Sequence, residues 1–152
     1  MDEFFHYWFK GLEKGIEELS EPAKTSLFEQ CGIACSDSYT RSLYGEVWDS
    51  TKDISSFFQQ LNNEIQQIGV REISKEREYE ITYNACLCDL YTKGYMTKGC
   101  LCECSRQSLL YNLTSLWPDK LIDVQLIDSI LRGGNQCILY IHITEYPIHR
   151  NK

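Results

Sequence analysis

Residues 86–104 read CLCDLYTKGYMTKGCLCEC and hold five of the eight cysteines of the chain. These five are spaced as Cys86-x-Cys88 and Cys100-x-Cys102-x-Cys104. A single free cysteine most often packs as a small hydrophobic side chain. Two groups of closely spaced cysteines within one short segment instead indicate a common function. We therefore interpret the segment as a thiolate platform that binds a metal ion rather than one that forms disulfides.

Two ligand sets for a metal follow from the cysteine spacing. Zinc prefers four thiolate or imidazole ligands in a tetrahedron. The first predicted set is the two C-x-C pairs, Cys86, Cys88, Cys102 and Cys104. The alternative set combines two platform cysteines with Cys31 and Cys35, whose i, i+4 spacing points both thiols the same way from a helix. That set would join the two halves of the chain, so that metal binding would contribute to folding. Zinc is the first candidate cofactor and an iron–sulfur cluster the second.

Composition narrows the class of protein. The chain has 152 residues, which suits one domain over residues 1–152. The hydrophobic share of 43% excludes a disordered chain, and the net charge of −7 argues against a nucleic-acid partner. The N-terminus lacks a basic region and a small-residue cleavage site, and no apolar run approaches the ~18 residues that a membrane span needs. We expect a cytoplasmic protein, where thiols stay reduced.

The first half, residues 1–69, predicts about four helices and no strands. Apolar side chains recur at helical spacing in each segment. In the first helix they form an aromatic face, which we expect to pack in the core. Alternatively this face is the wall of an apolar ligand pocket containing Trp8, a homodimer face, or an exposed partner-binding surface. The aromatic residues of this face are Phe4, Phe5, Trp8 and Phe9. The fourth helix carries Phe58, and Gly69 is predicted to end it in a left-handed conformation.

The second half, residues 70–146, changes to strand-like alternation. Residues 70–73 and 79–83 predict a hairpin whose second strand continues into Cys86 and Cys88, which would place both thiols on one face. A flexible loop at residues 92–99 and a helix follow. A last hairpin turns at residues 132–135, RGGN. The predicted fold is α+β, with N-terminal helices packed on a four-stranded antiparallel sheet and one helix inserted between two hairpins.

The function predicted from these residues is small-molecule binding beside a thiolate metal site, with a sensory or regulatory role. The aromatic helix faces and the sheet would enclose an apolar pocket containing Trp8 and Phe58. Arg106 would pair with an anionic group of the ligand. The alternative is a hydrolase of a small heterocyclic or amide substrate. There Cys104, placed just before a helix N-terminus that favours a thiolate, would be the nucleophile, or a bound metal would activate water.

A family resemblance is carried by two stretches. Residues 101–106, LCECSR, precede a helix, and residues 124–137, VQLIDSILRGGNQC, precede an alternating apolar strand. Together they resemble the C-terminal signature of the 4-vinyl reductase domain superfamily and the related L-2-amino-thiazoline-4-carboxylate hydrolase-like proteins of anaerobic bacteria. The resemblance covers residues 70–144. It implies helices on an antiparallel sheet and the binding of small, often hydrophobic molecules, sometimes beside a cysteine-ligated metal.

The resemblance also marks individual positions. Cysteine recurs in the family at the positions of Cys88, Cys102, Cys104 and Cys137, and Gly133 matches a turn glycine before the last strand. The Cys31/Cys35 pair has a counterpart in cysteine-rich branches. This chain departs from the family pattern after Arg106, where residues 107 and 108 are Gln and Ser and the family commonly has glycine and an aromatic residue.

Overall fold

The computed structural model describes residues 2–146; the predicted tail at residues 147–152 lies outside the described residues. Four helices come first, and the strands follow with two further helices between the second and third. The helices are α1 (Glu3–Glu17), α2 (Glu21–Cys35), α3 (Arg41–Thr51), α4 (Ile54–Glu64), the single turn α5 (Asp89–Thr92) and α6 (Cys102–Leu116). The strands are β1 (Ile68–Ser74), β2 (Glu78–Tyr83), β3 (Lys120–Asp128) and β4 (Cys137–Glu145).

The sheet confirms the predicted α+β class. Its strand order is β1-β2-β4-β3, and every neighbouring pair is antiparallel. Strands β1 and β2 form one hairpin and β3 and β4 the other. The predicted inserted helix is α6, and the single turn α5 precedes it. Gly133 turns the second hairpin with φ 95°, the left-handed region in which glycine costs least.

Local capping explains where several helices begin. The side chains of Asp2, Ser20 and Asp53 each accept a backbone N–H of the following turn. Pro22 lies in the first turn of α2, where its missing N–H is no loss. A π-helical turn, Ser36–Thr40, carries α2 directly into α3.

The predicted end of α4 is wrong. The helix stops at Glu64, and Gln67, with φ 73°, is the left-handed residue rather than Gly69. Gly69 lies inside β1, where it pairs with Thr82. Sheet pairing therefore begins at Ile68, before the glycine that the local pattern marked as the helix stop.

A main core fills the space between the helices and the sheet. Phe58, which is only 1% exposed, stacks on Tyr79 with ring centroids 3.8 Å apart. Phe57 and Trp117 pack edge to face with centroids 5.1 Å apart. Buried side chains fill the space between the helices and the sheet in which the sequence predicted an apolar ligand pocket. They include Phe57, Phe58, Leu61, Tyr79, Ile81, Leu113 and Ile141.

The aromatic face of α1 is not part of the core. Phe4 is 65% exposed and Trp8 53% exposed, and Phe5 and Tyr7 are exposed as well. Ile16 is the buried apolar residue of this helix, in a second, smaller cluster with Phe28, Met96 and Leu101. The expectation of core packing is therefore wrong for Phe4, Phe5 and Trp8, whereas Phe9 is partly buried and packs against this smaller cluster. Within residues 2–146, no helix combines the length and apolar character needed to cross a bilayer.

Candidate metal centre

Cys86 and Cys88 do not lie on a strand as predicted. Strand β2 ends at Tyr83, whose partner Cys137 is the first residue of β4. The antiparallel ladder has no further partner beyond that pair, so the chain leaves the sheet before Cys86. Cys88 directly precedes α5 with extended backbone angles, φ −69° and ψ 123°.

The second cysteine group is not extended either. Gly99–Leu101 form a 3₁₀ turn, and α6 begins at Cys102, so Cys104 is the third residue of this helix rather than the residue before it. In an α-helix, the side chains of residues i and i+2 are rotated by about 200° from each other around the helix axis. Cys102 and Cys104 therefore point to different sides of α6, and the predicted set of two C-x-C pairs does not assemble on one face.

A first group of thiols lies where α2 crosses α6. At Gly32 an added Cβ would be 2.8 Å from the backbone nitrogen of Ser108 and 3.0 Å from the carbonyl oxygen of Cys104, so the two backbones are in close contact. One turn later, Ser36 and Ser108 share a hydrogen bond of 2.6 Å between their hydroxyl oxygens. Cys31 and Cys35, which are both exposed, flank Gly32 on α2, and the backbone carbonyl of Cys104 on α6 lies beside Gly32.

Cys88 completes the first group. Cys88 and Cys104 both pack against the smaller apolar cluster around Phe28. Burial, followed by the neighbouring thiols of Cys35, Cys31 and Cys88, raises the pKa of Cys104 to about 12. Burial also raises the pKa of Cys35, and Cys88 adds to this effect. Cys88 and Cys104 thus share one apolar cluster, and the thiols of Cys31 and Cys35 on α2 influence the pKa of Cys104.

A second group consists of Cys86, Cys102 and Cys137. The Cys102 thiol donates a hydrogen bond of 3.3 Å to the Ser129 hydroxyl. The backbone N–H of Ile130 donates to the Cys137 sulfur at 3.4 Å. Both sulfurs therefore meet at one turn, residues 129–130. Burial is the principal cause that raises the pKa of Cys102 and of Cys86, and Cys137 adds to both.

After burial as the first cause, the neighbouring Cys88 thiol adds to the raised pKa values of Cys35, Cys104 and Cys102. Cys100 packs against the same cluster around Phe28 as Cys88 and Cys104, and burial followed by Glu13 raises its pKa. All eight cysteines are free thiols. As the side chains stand, no three Cys, His, Asp or Glu residues in the described part of the chain are grouped closely enough to hold a metal ion. Raised pKa values favour the neutral thiols of Cys35, Cys86, Cys100, Cys102 and Cys104, and a metal would have to displace their protons.

The geometry does not favour Cys104 as a nucleophile. A position just before a helix N-terminus predicted a lowered pKa for Cys104, and therefore a thiolate. Instead, burial and three neighbouring thiols raise the pKa of Cys104 to about 12. A thiol with this pKa is protonated near neutral pH, whereas a nucleophilic cysteine needs the thiolate.

The predicted ligand-binding residues lie apart from one another. Arg106 lines a cleft of about 500 Å³ together with Lys24 and Arg132. Its guanidinium donates to both carboxylate oxygens of Glu103, at 2.6–3.0 Å, and to the carbonyl oxygen of Val124 at 3.0 Å. Phe58 borders a different cleft, of about 480 Å³. Trp8 projects from the exposed face of α1.

Sequence reasoning missed three residues around these sites. Cys137 was absent from both predicted ligand sets, although its place at the start of the last strand and the family resemblance both pointed to it. Lys24 and Arg132 line the cleft of Arg106 but stand far from it in sequence. No local pattern links a lysine of α2 to an arginine in the second hairpin.

Comparisons with known proteins add little. No family model matches the chain, and no curated protein matches it. A solved structure of a trafficking protein particle complex subunit 3 from Naegleria fowleri, covalently bound to palmitic acid, is similar with a TM-score of 0.49 and 14% sequence identity over 95% of each chain. At this level the likeness supports no inference about function.

Proposed function

We propose that this protein binds a thiophilic metal ion through Cys31, Cys35, Cys88 and Cys104. The proposal is supported by the close crossing of α2, which carries Cys31 and Cys35, with α6, which carries Cys104. The packing of Cys88 and Cys104 against one apolar cluster supports it as well. Four sulfur donors match the preference of zinc, the first candidate, and an iron–sulfur cluster is the second. The ligand set agrees with the alternative set that the sequence offered.

Such a metal centre would link the N-terminal helical half of the fold to the C-terminal half. Four thiolates close the coordination sphere, which is the arrangement of structural zinc sites. Metal binding would tie α2 to the loop before α5 and to α6, so its free energy would add to the stability of the folded state. A reducing compartment such as the cytoplasm keeps the thiols available, and gain or loss of the metal would give the protein a sensory or regulatory role. The cysteines of α6 and β4 also support the proposed kinship with the 4-vinyl reductase domain superfamily.

Elemental analysis of protein purified without oxygen tests the proposal, with an absorption spectrum to separate colourless zinc from a coloured iron–sulfur cluster. We expect at least one equivalent of metal, and loss of that equivalent in Cys31→Ser and Cys104→Ser. Cys137→Ser is the matched control because the Cys137 sulfur accepts the backbone N–H of Ile130 and does not pack against the cluster around Phe28. Metal-free protein that also fails to take up zinc after reduction would refute the proposal.

The small-molecule ligand belongs, in this proposal, to the cleft beside α2 and α6. Lys24, Arg106 and Arg132 line it with Glu21 and Glu103, which leaves one positive charge in excess. Arginine pairs well with carboxylate and phosphate groups, so the ligand class is a small anion. Inorganic phosphate should raise the melting temperature of the wild type more than that of Arg132→Gln, with Arg71→Gln on the outer strand as control. Equal shifts in all three proteins would contradict this assignment.

The exposed face of α1 supports a second role, the pairing of two copies of the chain. Phe4, Trp8, Gly11 and Gly15 follow one line of the helix at a 4-3-4 spacing, the spacing of a helix–helix seam. An added Cβ at Gly11 or Gly15 would have nothing within 4 Å, so both positions are open to a partner. In an antiparallel pair of α1 helices, Trp8 would lie over Gly11 of the second copy and Phe4 over Gly15.

Charge fits the same arrangement. Glu3 and Lys14 are exposed on one flank of α1, at opposite ends of the helix. Antiparallel pairing brings Glu3 of one copy towards Lys14 of the other, and it opposes the two helix dipoles favourably. Light scattering across a concentration series should show a dimer that Trp8→Ser weakens and that Tyr39→Ser, an exposed aromatic residue elsewhere, leaves intact. A wild-type protein that stays monomeric throughout would contradict the pairing.

A further inference from the structure

We propose that the cleft between α4 and β1 binds a small neutral polyol, such as a sugar. This inference is independent of the proposed metal and anion sites, which lie at α2 and α6. The cleft has a volume of about 480 Å³, which is within the usual range of small-molecule sites. Its polar lining comes from α4, β1 and β2 and consists of Ser55, Gln59, Asn62, Asn63, Glu72 and Tyr79.

Asn62 supplies a hydrogen-bond donor to this cleft. Its Oδ1 accepts the backbone N–H of Val70 at 2.8 Å. Because a backbone N–H can only donate, this bond determines which end of the carboxamide faces Val70. The Nδ2 group is therefore turned away from that N–H, and within residues 2–146 it donates no hydrogen bond. A ligand in the cleft can supply the acceptor that this group lacks.

Glu72 supplies an acceptor that is held in place. The hydroxyl groups of Ser55 and Tyr79 both donate to its Oε2, at 2.6 and 2.5 Å. Tyr79 is fully buried, so its hydroxyl is fixed at the bottom of the cleft. In the described part of the chain no side chain donates to the other oxygen, Oε1. The carboxylate can therefore accept a hydrogen bond from a ligand without giving up the bonds that hold it.

This donor and this acceptor together define the class of ligand. Val70, which Asn62 contacts, and Glu72 are alternate residues of β1, so their backbones are about 7 Å apart on one face of the strand. A hydroxyl group both donates and accepts, so a molecule with several hydroxyls satisfies both positions at once. A phosphate or carboxylate would be repelled by Glu72, and a simple ammonium group offers no acceptor to Asn62.

The rest of the lining also suits a neutral molecule. Gln59 and Asn63 are exposed carboxamides, which can donate and accept as the ligand requires. Among the described residues that line the cleft, Glu72 is the single charged one. An extended peptide is less suitable, since it would pair with the free edge of β1. Asn62 already accepts the Val70 N–H at that edge.

Titration of the ¹⁵N-labelled full-length chain with glucose, galactose, myo-inositol and sucrose, followed by two-dimensional NMR, tests the inference. We expect at least one of these polyols to shift the side-chain NH₂ signals of Asn62 and Gln59 in a saturable way. Asn62→Asp keeps the acceptor for the Val70 N–H but removes the Nδ2 donor, so it should weaken binding about tenfold. Gln66→Ala removes an exposed carboxamide that does not line the cleft and should bind as the wild type does.

Putrescine and tetra-alanine serve as amine and peptide probes in the same experiment. The absence of a saturable shift with every polyol overturns the inference. Shifts with putrescine or tetra-alanine alone overturn it as well, because they assign the cleft to an amine or a peptide. Equal affinity of the wild type and Asn62→Asp would show that the polyol binds elsewhere. Circular dichroism verifies that each variant is folded, so lost binding cannot be attributed to unfolding.

Discussion

The backbone of Gly32 lies against the side chain of Gln107 with no space for another carbon: an added Cβ at Gly32 would be 2.8 Å from the Cβ of Gln107. This contact sets how closely α2 and α6 approach. Since the first thiol group spans the same crossing, the spacing of the two helices also sets how closely Cys31 and Cys35 approach Cys104.

Gly32→Ala is therefore expected to destabilise the protein. Overpacking costs about 1–3 kcal/mol, and the gain of about 1 kcal/mol in helix propensity offsets only part of this. Gly45→Ala is the matched control because its added Cβ meets nothing within 4 Å, and it should gain up to about 1 kcal/mol. Urea unfolding of both variants measures the difference. If Gly32→Ala proves as stable as Gly45→Ala, the helices do not cross as closely as described.

Phe58→Ala should be among the more damaging substitutions, because Phe58 belongs to the core rather than to a ligand pocket. Its ring stacks on Tyr79 with centroids 3.8 Å apart. Truncation of a buried phenylalanine costs about 3–5 kcal/mol. The control Ile127→Thr keeps a β-branched side chain at an exposed strand position and should change stability by less than about 0.5 kcal/mol. A similar small change for Phe58→Ala in chemical denaturation would show that the residue is not core.

Glu72 is expected to make the free energy of unfolding depend on pH in the acidic range. The hydrogen bond from Ser55, followed by that from Tyr79, lowers the pKa of Glu72 from its ordinary value of 4.5. A carboxyl whose folded pKa is lowered stabilises the fold above its unfolded pKa, and this contribution disappears as pH falls through the folded value. Glu72→Gln should therefore lose stability at pH 7 and match the wild type at low pH.

The size of this effect is small because Glu72 is exposed: less than about 1 kcal/mol at pH 7. Denaturant unfolding at several pH values between 7 and 3 gives the difference between variant and wild type. Glu29→Gln is the control, since Glu29 is exposed on α2 and has no side-chain hydrogen bond among residues 2–146. If the difference in unfolding free energy between Glu72→Gln and the wild type grows as the pH falls, the prediction is contradicted.

Glu13 should hold the loop at residues 93–99 in place. Its side chain is 5% exposed and accepts the backbone N–H of Thr97, although sequence patterns suggested a flexible loop. Glu13→Ala leaves that N–H without its partner, at a cost of about 1–3 kcal/mol, and should speed amide exchange across the loop. Hydrogen–deuterium exchange with mass spectrometry measures this.

A neighbouring ion pair provides the comparison for Glu13. Glu17 binds Lys98 at 3.2 Å, but both side chains are about half exposed. Removal of such a pair changes stability by about 1 kcal/mol or less, so Glu17→Ala should leave exchange in the loop nearly unchanged. Equal acceleration in both variants would show that the buried carboxylate is not what orders the loop.

Local features of the sequence were sufficient to predict the order of helices and strands along the chain. Ser20 and Asp53 begin helices because their side chains accept N–H groups only three residues away. Gly133 turns the second hairpin because that position needs a positive φ. Alternation and helical spacing likewise report which side of a segment is apolar, and so the α+β class and the inserted helix could be predicted.

Contacts between residues far apart in the sequence decided where strands end and which side chains meet. Strand β2 ends at Tyr83 because its partner strand begins at Cys137, and no local signal near residue 83 contains that information. The aromatic face of α1 is exposed because α1 packs through its other side, although the apolar pattern alone favoured burial. The order of helices and strands was thus encoded locally by the sequence itself, whereas only the tertiary structure decided which cysteines meet, because contacts between residues about seventy positions apart depend on how whole elements pack.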